Sequence, residues 1–202
     1  MKKLNKYKVI VPAMVALITI LTVPTSLKAQ GNYKLAEGTA ASVKVLGSSN
    51  VHDWTMTATA MESQGDFKLE GNELKGLSAL SFSVAFKSLK SEHESMDSRT
   101  YKSVNASKYP NVAYKLNSAM VTATEKNKYL IKTKGELTIS GITQSITMDV
   151  TAVINADNTI TCTGAEKIKL TDYGIKPPSF MLGAMKVAND LTIQFTLIYK
   201  KY

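Results

Sequence analysis

Gly135 to Ile154, GELTISGITQSITMDVTAVI, carries the clearest strand pattern in the chain. Leu137 and Ile139 fall on one face of an extended chain, with Thr138 and Ser140 on the other. Ser140-Gly141 interrupts the run. Beyond it, Ile146, Met148, Val150, Ala152 and Ile154 alternate with Thr147, Asp149, Thr151 and Val153. Period-two alternation on both sides of a Ser-Gly break predicts two antiparallel strands joined by a tight turn. The second run is longer than an ordinary strand needs and suits a strand that winds obliquely around a barrel.

The same rhythm continues in both directions. Ala41 to Leu46 places Val43 and Val45 on one face. After Ser48-Ser49-Asn50, a turn, Val51 to Met61 sets Trp54, Met56, Ala58 and Ala60 against Thr55, Thr57 and Thr59. Phe67-Lys68-Leu69 is a short strand among glycines. Leu80, Phe82, Val84 and Phe86 oppose Ser81, Ser83, Ala85 and Lys87. Val112, Tyr114 and Leu116 share a face, as do Ile160, Cys162 and Gly164, and then Leu191, Ile193, Phe195, Leu197 and Tyr199. Tyr129 to Thr133 adds a strand before the central hairpin. About eight strands with one short helix predict an all-β protein, a closed antiparallel barrel. The helix is expected at Ser95 to Lys102, with Ser95 as cap, Asp97 in its first turn and Tyr109-Pro110 as its stop. Thr171 to Lys186, TDYGIKPPSFMLGAMK, has no period and reads as a long loop.

The chain divides into two parts. Lys2, Lys3, Lys6 and Lys8 precede an apolar run from Val9 to Val23, and Leu27-Lys28-Ala29 ends in a small residue. This is the pattern of a signal peptide over residues 1–29, followed by one domain over 30–202 and export to the periplasm or beyond the cell. The apolar run is short for a membrane span, so no stable membrane insertion is expected once the signal is removed. Of 25 basic and 16 acidic residues, five lysines and no acid fall in 1–29, which leaves 20 against 16, a net +4. That excess is too small for a nucleic-acid-binding surface. Cys162 is the one cysteine, so no internal disulfide forms, and its place in an alternating run predicts a buried, inert thiol.

Chemistry is sparse. The two histidines, His52 and His93, lie far apart in sequence, and no HExxH, CxxC or Gly-rich phosphate loop is present. No metal and no cofactor is expected. An acid–base arrangement around His52 and Asp53 stays open as the enzymatic alternative, against the plainer reading of a turn residue beside an outward carboxylate. The inward candidates from pattern are Trp54, Met56, Phe82, Val84, Phe86, Tyr114, Ile139, Met148 and Phe195. Small barrels either enclose a ligand among such residues or are filled by them, and pattern leaves the two balanced.

Four segments carry a resemblance: SSNVHDW at 48–54, SMDSRTYKSVNASKYPNVAYKL at 95–116, GELTISGITQSITMDV at 135–150 and KLTDYGIKPPSFMLGAMKVANDLTIQF at 169–195. In this order they resemble the YceI-like family of exported lipid-binding proteins. The chain departs from the pattern at Thr171, where many members carry a basic residue, and at Pro177-Pro178. The resemblance implies a lipocalin-like, hollow barrel holding a polyisoprenoid or other long-chain lipid as carrier or sequestering protein; no catalytic residue is expected. It places ligand contacts at Trp54, Phe82, Phe86, Met96, Tyr101, Tyr114, Ile139, Met148 and Phe195, with Met181 and Met185 in the loop. An enzyme acting on an apolar substrate, and a filled, stress-related interaction module, are the alternatives. The oligomeric state is not fixed by the sequence, and a homodimer is among the assemblies it allows.

Overall fold

The computed structural model describes residues 32–36, 40–58 and 60–202; the expected signal peptide lies outside them. Twelve strands, one α-helix and three short 3-10 turns make up these residues. The strands are β1 (Tyr33–Leu35), β2 (Ser42–Ser48), β3 (Asp53–Ala58), β4 (Glu62–Glu70) and β5 (Glu73–Ala85). After α1 (Glu94–Ser103) come β6 (Asn111–Glu125), β7 (Lys128–Ile139), β8 (Ile142–Ile154) and β9 (Ile160–Lys169). Two-residue strands β10 (Ser179–Phe180) and β11 (Met185–Lys186) form a small hairpin before β12 (Asp190–Lys201).

The main sheet runs β1-β4-β5-β6-β7-β8-β9-β12, and β1 also pairs with β12. The ring is therefore closed, with eight antiparallel strands in up-and-down order. Closure depends on a very short element: Tyr33 faces Gly65 on one side and Lys201 on the other. β2 continues the line of β1 along β12, and β3 lies outside β2 as the prolongation of β4. Closure satisfies the edge groups that an open sheet would leave unpaired.

The central hairpin follows the sequence reading. β7 and β8 pair without a break from Lys128↔Val153 to Ile139↔Ile142. Ser140 and Gly141 both have positive φ, 51° and 81°, the two-residue turn whose twist matches that of its strands. Other elements differ from expectation in extent. Phe67 belongs to a nine-residue strand, and irregular register at Asp66/Phe67 and Lys68/Leu69 had blurred its alternation. The polar lead-in before Gly38 contains β1. The helix is capped by His93, not Ser95, and without a side-chain hydrogen bond. Its anchor is Asp97, 4% exposed, which accepts from the Ser91 backbone N–H and hydroxyl, both at 2.8 Å.

The two ends of the barrel are unlike. At the end carrying the β4–β5, β6–β7 and β8–β9 turns, the interior is solid. Phe67 packs against Tyr33 edge-on at 5.4 Å and against Tyr199 at 5.1 Å between ring centroids. Tyr129, Ile131, Ile154 and Ile160 are buried with them. The Tyr199 hydroxyl meets Ser63 Oγ at 2.8 Å, and Ser63 donates to the Ser81 carbonyl at 2.7 Å, so this floor holds no unmet phenol at Tyr199. At the opposite end, α1, the β2–β3 turn and the 170–189 segment gather around an opening.

Candidate ligand-binding cavity

Above the aromatic floor lies a cavity of about 410 Å³. The barrel is hollow, which resolves the balance that pattern left open. The volume is in the range of small-molecule pockets. Its walls are almost wholly apolar: Val43, Val45, Met56, Val84, Leu116, Leu137, Ile139, Ile146, Val150, Leu191 and Leu197 face it, with Phe67 and Tyr199 below.

The space has a local cause in three pairings of an aromatic ring with an inward-facing glycine. Trp54 is the direct cross-strand partner of Gly47, and Phe195 of Gly164. The Tyr114 ring leans over Gly135 on the neighbouring strand. A Cβ at Gly164 would stand 2.5 Å from Phe195 Cζ. Each ring thus lies flat along the wall where a side chain is missing, and the axis of the barrel stays open.

Of the expected contact residues, Trp54, Met56, Phe82, Val84, Phe86, Met96, Tyr114, Ile139, Met148, Met185 and Phe195 line this cavity. Tyr101 and Met181 do not. Tyr101 turns its hydroxyl to the Leu89 carbonyl at 2.6 Å, joining α1 to the segment after β5. Met181 is 75% exposed at the tip of the β10–β11 hairpin, where Met181 and Leu182 both have φ of 53°. The left-handed backbone at the tip turns both side chains away from the lumen.

The mouth is built from three segments locked to one another. Asn50 in the β2–β3 turn donates to the Ala184 carbonyl at 2.8 Å and accepts from the Lys186 N–H at 2.7 Å. The Arg99 guanidinium of α1 stands 4.7 Å from the Phe180 ring centroid. Such a contact contributes about 0.5–1 kcal/mol at an exposed site. His52 and His93 both line the mouth. His52 Nδ1 lies 2.8 Å from the backbone oxygen of Asp53, not from its carboxylate, so the pair is not arranged as an acid–base dyad. Among the described residues no group of three or more metal-ligating side chains converges.

Two lumen polar residues, Glu166 and Thr133, fell outside the expected contact set. Glu166 lines the cavity from β9, and burial pushes its carboxyl above the usual carboxylate range. No hydrogen bond or ion pair engages it among the described residues. Its parity was legible: Cys162, Gly164, Glu166 and Ile168 share one face. Thr133 is inward and 7% exposed, but its hydroxyl donates to the Met148 carbonyl at 3.2 Å. The Tyr114 hydroxyl and Trp54 Nε1 are buried without a partner. Thr133 lies beside the phenol without completing a hydrogen bond of acceptable geometry. An unmet buried polar group costs about 1–3 kcal/mol. Cys162 is also in the wall; burial pushes its thiol up to about 12, which keeps it protonated and unreactive at neutral pH.

A hollow eight-stranded up-and-down barrel, closed by an aromatic floor and capped by a helix and a hairpin, defines a class of ligand-enclosing barrels. The model of the YceI-like domain matches residues 33–199, and the chain belongs to that family. Solved structures agree in fold. The polyisoprenoid binding domain from Saccharophagus degradans, implicated in plant cell wall breakdown, superposes with a TM-score of 0.64 at 13% identity, covering 85% of this chain and 99% of that one. Burkholderia cenocepacia BcnA gives 0.63 at 17% identity, covering 78% and 95%. The YceI protein of Campylobacter jejuni gives 0.55 at 18%, covering 77% and 85%. No curated protein matches in sequence. Among the described residues no helix is long and apolar enough to cross a membrane.

Proposed function

We propose that this chain is an exported binding protein that holds a long-chain apolar ligand, a polyisoprenoid or related lipid, in its barrel, as a carrier or sequestering protein. The observation that carries this reading is the apolar cavity of about 410 Å³, open at the helix end and closed by packed aromatics at the other. A lumen of this kind recognises a chain by burial, at about 0.8 kcal/mol per methylene before the cost of ordering it. No polar contact is needed for useful affinity. The S. degradans neighbour, described as a polyisoprenoid binding domain, supports the same ligand class. The basic and apolar segment of residues 1–29 supports export to the periplasm or outside the cell.

Native mass spectrometry of gently purified protein, with chloroform extraction of whatever co-purifies, tests the reading. A stoichiometric long-chain lipid is the expected result. An empty protein that also fails to take up isoprenoid chains from detergent overturns it. N-terminal sequencing of the mature protein should begin at or within one or two residues of Gln30; an intact Met1 refutes export by this route.

A further inference from the structure

Most of the lumen wall is apolar, and two of its polar groups, the Glu166 carboxyl and the Tyr114 hydroxyl, have no hydrogen-bond partner among the described residues. Register locates them. Glu166 on β9 faces Ile193 on β12, while Met148 on β8 faces Thr133 on β7. Tyr114 reaches the same level from β6, since its ring lies over Gly135 beside Thr133. Glu166, Tyr114 and Tyr173 line the same cavity, and the Glu166 charge acts on both phenols.

The wall also parts at this level. β8 and β9 pair from Ile154↔Ile160 only as far as Val150↔Gly164. β8 nevertheless stays paired with β7 to Ile142, and β9 with β12 to Lys169. The two strands therefore diverge from Val150 and Gly164 toward the mouth, and Glu166 stands on the lip of the gap. It is half-buried, and no cation answers it among the described residues. Tyr114, by contrast, is 7% exposed with an unmet hydroxyl, and Trp54 Nε1 is a second unmet donor in the same lumen.

Resting on the lipid reading above, we propose that Glu166 and Tyr114 form a polar seat inside the barrel for an uncharged hydroxyl group carried by the apolar ligand. The complementarity is one of donors and acceptors. A hydroxyl donates one proton, which the Glu166 carboxylate accepts, and its oxygen has lone pairs, one of which the Tyr114 phenol can fill. A hydrocarbon leaves both unmet. An ammonium group satisfies Glu166 but has no lone pair for the phenol. A carboxylate or phosphate places negative charge beside Glu166 in a poorly solvated site. The ligand class is therefore a long-chain alcohol, in preference to the hydrocarbon or the acid of the same skeleton.

Displacement of an apolar fluorophore by geranylgeraniol, by the corresponding hydrocarbon and by geranylgeranoic acid tests this at neutral pH. The alcohol should bind about tenfold or more tightly than the hydrocarbon, the effect of a hydrogen bond to a charged group. Glu166→Gln should improve the acid several-fold relative to the hydrocarbon. Tyr114→Phe, which removes one oxygen and keeps the ring on Gly135, should narrow the alcohol's preference several-fold. Saturable binding of all three probes with equal affinity, unmoved by either variant, overturns the seat and leaves the lipid reading standing. Absence of saturable binding by any of them overturns the lipid reading and the seat with it.

Discussion

At the scale of the residue, Asp97 and Gly164 show how single positions hold the cavity in shape. Burial alone would raise the Asp97 carboxyl, but the Ser91 backbone and hydroxyl donors and the nearby Lys90 hold it below the usual range. Its contribution to stability is therefore complete above the unfolded value, about 3.9, and disappears as pH falls through the lower folded value. Acid melts should show this slope in the wild type and lose part of it in Asp97→Asn. The variant should also be less stable at neutral pH by about 1–3 kcal/mol, because the Ser91 donors lose their charged acceptor. Gly164 acts differently. A methyl group there meets the far end of Phe195, a side chain with empty space beyond it. Gly164→Ala should swing the ring into the lumen, with a stability change of about 1 kcal/mol or less but a clear loss of affinity for long chains. Thermal melts and fluorophore displacement on the same preparation separate the two effects. Gly135→Ala provides the contrast, since its methyl also meets the Lys115 backbone oxygen at 2.6 Å, which cannot retreat, and it should destabilise the fold.

At the scale of the element, the β7–β8 hairpin connects the strand pattern to the mouth. Its turn needs two left-handed residues, and it is tethered by the Ser140 hydroxyl, which donates to the Val104 carbonyl just past α1 at 2.9 Å. The Tyr109 ring covers Gly141, with a hypothetical Cβ 2.5 Å from its Cε1. Gly141→Val combines a left-handed β-branched residue, about 1–2 kcal/mol, with displacement of that ring. Chemical denaturation should show a loss of at least 2 kcal/mol. Ser140→Asn, which tolerates the same backbone, should stay within about 1 kcal/mol of wild type apart from the lost tether.

At the scale of the whole molecule, the division into a solid floor and a hollow upper lumen sets what core substitutions do. Phe86 is 4% exposed yet borders the cavity, so Phe86→Ala enlarges a space already present. Its cost should fall at or below the low end of the roughly 3–5 kcal/mol of a packed core. Ligand preference should shift to bulkier chains. Met148 faces the same space from β8, and Met148→Trp should obstruct the lumen and weaken binding while the protein stays folded. Urea melts with lipid titrations on both variants check this. A full packed-core cost for Phe86→Ala, together with failure of Met148→Trp to fold, would show that the lumen behaves as a filled core.

The sequence shows the longer strands, though not β1, β10 or β11, together with the two-residue turn at Ser140-Gly141 and which residues share a face. These are consequences of local geometry: a period of two and a backbone that requires left-handed residues. It located α1 to within a residue or so, and eleven of the thirteen expected contact residues line the cavity. Tyr101 and Met181 could not be placed from pattern, because neither lies in a strand and only the surrounding fold decides where such side chains turn. Glu166 sat at an inward parity in plain view, between Gly164 and Ile168, but with Lys167 and Lys169 after it the run has the charge of a solvated face. The tertiary structure alone decided the rest. Closure depends on three residues, Tyr33 to Leu35, held between two strands remote in sequence. Whether the barrel is filled or hollow depends on which ring faces which glycine across a strand pair. That is a matter of register between distant segments, and no periodicity within one strand encodes it.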